Sequence, residues 1–403
     1  MASVSELLRF FVEPLDVLIF RSSRPFVAGE DHVAKPSIAN PSTFAGALKT
    51  KILASFCSRM GIEMGELQRK GDEAGFEEKV KKLCEENKQL REVLEIVGHP
   101  CVSSIPKLQL KAVFFAEDGG KELLPLPNDV RVERSGGDLV IRVLEVKEGL
   151  LEGLFDGKRI EFLAEREVER KRAAGGASFL RAAALRFYLL REFEKLEFEM
   201  LRKMLRKPPY KEERRTGIEL ERGRKRAEDR KLYTAEFWRF EGGCGFTLWL
   251  EDAGIGIPEG LLRLGGEGRP AYLRELGRLD FRSWGLDTSE ILERINEERR
   301  LKLYLVTPAI FEAGWKPDVR RIGKMLGGAE LELVSALPGK PVYLGGYDVA
   351  RNKEKPLRRG VNAGAVYFFK VRGRVEEEKV RLPLNVSDYE SEAGLGAAFV
   401  GVW

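Results

Sequence analysis

Histidine and cysteine are scarce in this chain, and their scarcity removes several kinds of chemistry. Two histidines, His32 and His99, and four cysteines, Cys57, Cys84, Cys101 and Cys244, are spread over 403 residues. No two cysteines form a CxxC pair, so a Cys/His zinc centre is not expected, and neither metal nor cofactor is assigned. Isolated cysteines fit reduced thiols in a cytosolic protein better than a disulfide framework. No apolar run approaches the roughly 20 residues that a membrane-spanning helix needs. The first residues lack the basic stretch and small-residue cleavage site of a signal peptide, so a cytoplasmic chain without membrane contact is expected. Walker A, GxSxG and HExxH motifs are missing too. Carboxylates are abundant, but no spacing singles out an acid/base pair.

What the chain has in quantity is charge. Charged residues make up 33% and apolar residues 43%, with a net charge of only +5. The length suggests two or three domains with real cores. The charge is unevenly placed: residues 201–231 hold thirteen Lys/Arg against six Asp/Glu. That local excess is larger than the net charge of the whole chain, so the remainder is slightly acidic.

Residues 10–20 read as a largely buried strand. Phe44, Leu48, Ile52 and Phe56 recur every four residues, which predicts a helix over 43–57 capped by Ser42 or Thr43. A charged helical segment is expected over 62–97, ended by Gly98 and Pro100. Strands are expected in 107–115 and 138–146, and a helix over 177–205. "KLYTAEFWRF" and "GFTLWLED" read as paired strands, and "LRLGGEGRP" (262–270) as a Gly-rich turn. From about 275 a second unit runs through "LKLYLVTPAIF", "AELELVSALPG", "PVYLGGYDVA", "AGAVYFFKVRG" and "GLGAAFVGVW". Strands with interspersed helices, twice, give an α+β class with two domains, 1–275 and 276–403. The first carries insertions near 60–100 and 150–235.

Three stretches could grip an anion. The first joins the opening strand to the first helix and holds Arg21, Arg24, Phe26, His32 and Lys35. Arginine offers a planar fork to phosphate, and Phe26 a face for a base. Local ion pairs with Glu30 and Asp31 are the plain alternative. The second is the basic segment around Arg214, Arg215, Arg224, Lys225 and Arg226, which either tracks a phosphate backbone or is a solvated loop. The third places Arg351, Lys353, Lys355, Arg358 and Arg359 between two strands beside Tyr347, Tyr367 and Phe368. It suits RNA as well as it suits an ordinary soluble hairpin. The glycines of "GLGAAFVG" do not make a dinucleotide fingerprint, because Phe399 stands where a glycine is needed and the chain ends four residues later.

Taken in order, "DVLIFRSSRPFVAG", "NPSTFAGALKTKI", "RRTGIELERGRKRAEDRKLYTAEFWRF", "LRLGGEGR", "LYLVTPAIFEAGWKP", "GGYDVARNKEKPLRRGVNAGAVYFF" and "GLGAAFVG" resemble the third subunit of the Cmr module, the type III-B CRISPR RNA-guided effector. The resemblance covers nearly the whole chain and is weakest at 60–100 and 150–200. It implies the RAMP superfamily and two ferredoxin-like (RRM-like) domains with Gly-rich loops. It also implies a non-catalytic RNA-binding scaffold that holds the repeat-derived 5′ tag of the guide RNA. The implied neighbours are the large palm-domain subunit and the backbone RAMP subunit, with target RNA as a further contact. The implied tag-binding positions are Arg21, Arg24, Pro25 and Phe26, with Thr43, Gly46 and Lys49 at the helix start. The basic hairpin and the glycines Gly265, Gly266, Gly268, Gly394, Gly396 and Gly401 match as well. The last glycine loop is one residue shorter than the common superfamily pattern. Guide-processing enzymes share this superfamily, so a metal-independent endoribonuclease using a His32–Lys35 dyad is the alternative, although lone loop histidines are usually inert.

Overall fold

The opening strand forms earlier than its pattern suggested. It is Leu7–Pro14 (β1), stopped by a proline that has no N–H to give to a ladder. Leu15 is then 54% exposed, while Val17, Leu18, Ile19 and Phe20 are buried in an irregular segment. Leu18 and Trp238 exchange backbone hydrogen bonds of 2.9 and 2.8 Å. These details come from a computed structural model, which describes residues 7–20, 39–71, 75–103, 105–135, 138–146, 163–164, 178–196, 198–220, 227–252, 254 and 256–403.

The helix expected over 43–57 runs from Pro41 to Met60 (α1), with Phe44, Leu48, Ile52 and Phe56 on its buried face. Its cap is Asn40, not Ser42 or Thr43: the Asn40 side chain accepts from the Ser42 N–H at 3.1 Å, and Pro41 fills the first helical position. The segment 62–97 is not one helix. A 3-10 turn at Met64–Leu67 precedes helices Phe76–Glu86 (α2) and Lys88–Val97 (α3). Asn87 ends α2 in an extended conformation, and its side chain caps α3 by accepting from the Leu90 N–H at 3.0 Å. The stretch 177–205 also breaks up, into a strand at Phe179–Arg181 and short helices at Leu185–Leu189 and Phe198–Met204.

Two antiparallel sheets carry the mixed α/β architecture. The larger has eight strands in the order Gly260–Leu264, Arg269–Arg278, β1, Gly245–Glu251, Leu110–Glu117 (β2), Lys121–Pro125 (β3), Phe179–Arg181 and Leu205–Arg206. The smaller has five, in the order Glu330–Leu337, Val366–Arg372, Arg300–Leu305, Ala397–Gly401 and Leu384–Asn385. Both repeat one arrangement at their centre. The first and second strands are joined through a helix, the third lies between them, and the fourth flanks the first. Among the described residues no helix joins third to fourth. A strand, Gly260–Leu264, occupies that connection in one sheet and a 3-10 turn, Glu377–Lys379, in the other.

"KLYTAEFWRF" and "GFTLWLED" are strands but are not partners. Gly245–Glu251 is buried on both faces and sits in mid-sheet between β1 and β2. A half-charged strand has no place there. Ala227–Phe240 instead pairs with Tyr210–Leu220 as a long ribbon in register Tyr210↔Phe240. The basic segment is therefore largely a hairpin, with residues 221–226 outside the described set. A second ribbon, Pro341–Asp348 with Lys353–Val361, stands apart from both sheets.

Residues on either side of the expected boundary near 275 share one core. Leu7, Phe114 and Trp249 of the larger sheet pack with Leu303, Phe369 and Phe399 of the smaller. Buried polar groups lie in this zone. Glu122 accepts from Arg9 Nε at 2.9 Å and Trp249 Nε1 at 3.2 Å. Lys302 is fully enclosed: its Nζ donates to the Tyr188 carbonyl at 2.7 Å and lies 3.8 Å from the Tyr188 ring centre. The Tyr188 hydroxyl in turn donates to Asp129 Oδ1 at 2.8 Å. Burial pushes the Lys302 amine down to about 8, against the opposing pull of the Asp129 carboxylate. No helix among the described residues is long and apolar enough to cross a membrane.

Removing the Lys302 side chain as Lys302→Ala is expected to cost about 3–5 kcal/mol in chemical denaturation, whereas Lys302→Met, which keeps the volume, should cost far less. The unfolded chain holds the lysine proton to about pH 10.5 and the folded chain releases it near 8. Wild-type stability should therefore rise relative to Lys302→Met between those values and be flat below them.

Candidate nucleic-acid interface

The residues from Val17 to Phe20 lead into residues 21–38, and the chain re-enters at Ala39 and Asn40 just before α1. Arg21, Arg24, Phe26, His32 and Lys35 lie outside the described residues, as do Arg224, Lys225 and Arg226. What the structure describes is the frame around the first stretch. At its entry, the Gly266 N–H donates to the Ile19 carbonyl at 2.8 Å. Gly265 has a left-handed backbone, and a Cβ there would fall 2.6 Å from the same carbonyl oxygen. The glycine turn thus clamps the chain where the Arg-rich stretch begins. At its exit, Asn40 caps α1 and its Nδ2 donates to the Gly345 carbonyl of the second ribbon at 3.1 Å.

Beside that exit is a cleft of about 480 Å³. Ala39 and Pro41 line one side, and Phe115 of β2 lies across from the root of the long ribbon at Tyr210 and Trp238. Pro308 and Asn362 of the C-terminal unit complete it. The aromatic wall is built by alternation, because Tyr210 and Phe240 are cross-strand partners, as are Glu212 and Trp238 two residues along, so all four share one ribbon face. Tyr210 and Trp238 stack at 4.3 Å with 19° between their planes. Phe115 meets Tyr210 at 5.5 Å and Phe246 at 5.0 Å. Burial, helped by the neighbouring Glu212 carboxylate, pushes the Tyr210 hydroxyl up to about 12, so it stays protonated and can donate.

The ribbon's described cations are held by carboxylates at its root. Arg214 Nε donates to Glu236 Oε1 at 2.7 Å, yet the Arg214 side chain is 70% exposed while Glu236 is buried. Arg215 bonds Glu213 at 2.8 Å and, with Arg269, lies 5.3 Å from the ring centre of Phe237. Arg239 also bonds Glu213, and hydrogen bonds from the two arginines lower that carboxyl to about 2. The second ribbon behaves similarly. Arg351 pairs with Asp348 at 3.1 Å, Lys355 with Glu390 at 3.0 Å, and Arg358 lies 3.8 Å over the Tyr389 ring. Lys353 and Arg359 are exposed. Lys49 of α1 is half-buried in the seam against this ribbon, and burial depresses its amine, opposed by Glu392 and reinforced by Lys355. Thr43 is half-exposed in the first turn of α1, its N–H donating to the Asn40 carbonyl at 2.9 Å.

Two expected contacts prove to be inside the fold. Gly394 and Gly396 are buried. The Gly394 carbonyl accepts from Thr307 Oγ1 at 2.7 Å, and the Gly396 N–H donates to the Pro308 carbonyl at 2.7 Å. A Cβ on Gly394 would fall 3.1 Å from Leu110 and 3.3 Å from Pro41, and one on Gly396 2.3 Å from the Ser387 nitrogen, so close packing at both positions requires glycine. His99 is structural as well: buried, its Nε2 lies 3.0 Å from the Leu67 carbonyl and its Nδ1 accepts from the Cys101 N–H at 3.3 Å. This arrangement suits neutral imidazole, whose protonation burial disfavours. Sequence reasoning passed over Phe115, Tyr210, Glu212 and Trp238. The i, i+2 spacing of Trp238 and Phe240 was the signal that they share a face.

Gly396→Ala would place a Cβ 2.3 Å from the Ser387 nitrogen on a backbone with φ 71°. A loss of more than about 1 kcal/mol is expected in thermal or urea unfolding. Gly46, by contrast, is exposed within α1 with open space around it. Gly46→Ala should stabilise the chain by about 0.5–1 kcal/mol in the same measurement.

The family described as CRISPR-associated protein (Cas_Cmr3) matches residues 10–403. No curated protein matches the chain. Among solved structures, one of the type III-B Cmr-beta complex bound to cognate target RNA and AMPPnP contains a chain 16% identical to this one, with a TM-score of 0.44, covering 89% of this chain and 86% of that one. A structure of the same complex with cognate target RNA alone gives 16% identity and a TM-score of 0.43 over the same shares.

Proposed function

The chain belongs to the Cas_Cmr3 family of CRISPR-associated proteins, and from that premise we propose that it is a non-catalytic RNA-binding scaffold subunit of a type III-B effector complex. On this reading it holds the repeat-derived 5′ tag of the guide RNA and joins the large palm-domain subunit to the backbone RAMP subunit. The two sheets, with their repeated strand order, are then two ferredoxin-like units that have lost their second connecting helix.

One observation carries the reading. The exit of the Arg-rich stretch, the first turn of α1 and the root of the basic ribbon converge on a single aromatic cleft. Each supplies something that single-stranded RNA uses. The start of a 20-residue helix adds a positive end and the rings offer faces for unpaired bases, while the stretch that leads to them carries in its sequence Arg21 and Arg24, whose forks suit phosphate. Scaffolding fits the chemistry as well, since the described basic side chains at the ribbon roots are held by carboxylates and rings that fix their direction before any RNA arrives.

Arg21→Ala combined with Arg24→Ala should weaken binding of a guide RNA carrying its tag. It should also lower the slope of log affinity against log salt by about 1 for each phosphate contact removed, as read by filter binding across a salt series. Unchanged affinity and slope would remove this stretch from the interface. Incubation of the pure chain with precursor repeat RNA should leave the RNA intact. Site-specific cleavage that disappears in His32→Ala would make the protein a processing endoribonuclease instead.

A further inference from the structure

We propose that the aromatic cleft reads one unpaired guanine, with Glu212 accepting from the base edge and Arg214 taking the adjoining phosphate at the mouth. The inference rests on the RNA-binding reading and makes it specific.

The charge of the cleft is the starting point. Among the described residues that line it, Glu212 is charged and none is lysine or arginine. A phosphate inside would meet the Glu212 carboxylate and aromatic rings, with no cation among the described lining residues to compensate its desolvation. A planar, uncharged group with outward-facing N–H donors meets complementary surfaces on every side. Phe115, Phe179, Tyr210 and Trp238 supply flat apolar contact, and the volume of about 480 Å³ lies in the range that small ligands occupy.

Position settles where the phosphate goes. Along the ribbon face, Tyr210/Phe240 is followed by Glu212/Trp238 and then by Arg214/Glu236. The guanidinium therefore stands one pair outward from the carboxylate. Glu236 holds it by Nε at 2.7 Å while the side chain stays 70% exposed. A base inserted against Tyr210 and Trp238 brings its sugar–phosphate out past Glu212 towards Arg214.

Hydrogen-bond pattern then selects the base. Guanine presents N1–H and the N2 amino group side by side, two donors matched to the two oxygens of one carboxylate. Adenine and cytosine place a donor beside an acceptor on that edge, and uracil flanks its single donor with two carbonyls. Each of these sets a lone pair against the carboxylate, whereas guanine does not. Glu212 is exposed, so both carboxylate oxygens are available to a base edge.

The test is fluorescence polarisation of the full chain with a short, labelled, single-stranded oligouridine carrying one guanosine, and with matching strands carrying adenosine, cytidine or inosine there. Guanosine should bind about tenfold tighter than adenosine, the scale expected of one bidentate pair, with inosine between them because it lacks the N2 amine. Glu212→Gln should abolish the preference without abolishing binding. Arg214→Ala should weaken all strands alike and reduce the salt slope by about 1. Wild-type binding that ignores base identity, or a guanosine preference that survives Glu212→Gln, overturns the proposal and leaves the RNA-binding reading standing. Failure to bind any of the strands at low salt overturns both.

Discussion

Trp249 is the residue on which the arrangement of the two sheets turns. It lies fully buried in the middle strand of the larger sheet. Its ring centre is 4.6 Å from Phe114 within its own sheet, and 5.2, 5.8 and 6.4 Å from Trp284, Phe281 and Phe399 beyond it. An indole enclosed on all sides must place its N–H, and here Glu122 accepts it. That acceptor is itself a buried carboxylate, and burial raises it above the ordinary carboxylate range against the opposing pull of Arg9 beside it. Packing, hydrogen bond and charge thus constrain one another at the place where the units meet. The aromatic cleft draws on both units, with Phe115 from the larger sheet and Pro308 from the C-terminal unit in its lining.

Charge in this protein is managed rather than displayed. A run of thirteen cations against six acids suggests an open electrostatic surface. In the folded chain Arg214, Arg215 and Arg239 are oriented by Glu236 and Glu213, and the second ribbon repeats the device with Asp348, Glu390 and Tyr389. Exposed ion pairs add little stability. Their more useful effect is to set direction, so that a guanidinium is held at a defined distance from the rings beside it. Lys302 shows the other extreme, a cation enclosed in the core and held by one carbonyl and one ring.

Much of the architecture was legible in the sequence. The apolar spacing of Phe44 to Phe56, the stop at Gly98, the glycine turn at 265–268 and the strands of the second unit were all read at or near their places. The misreadings have identifiable causes. Pro14 cut the first strand short, because a residue without an N–H ends a ladder whatever the hydrophobicity that follows. Asn87 split a helix that its charge pattern left continuous. The strand at Gly245–Glu251 was given the wrong partner, since alternation shows that a strand is present but not which neighbour shares its hydrogen bonds. The cleft was not legible for the same reason. Phe115, Tyr210, Trp238 and Pro308 lie far apart in the chain, and no local pattern links them.

The sequence by itself determined the class of the fold, the family and the basic character of two ribbons, because periodicity, composition and ordered motifs are local properties of the chain. Only the tertiary structure decided which of those basic residues are already held, that Gly394 and Gly396 are buried, and that His99 is enclosed. It also decided that the negative Glu212 stands where a cation would have been expected. These outcomes depend on which side chains are brought within about 3 Å of one another. That proximity is set by strand pairing and by the burial of Trp249 between the sheets, neither of which a linear pattern records.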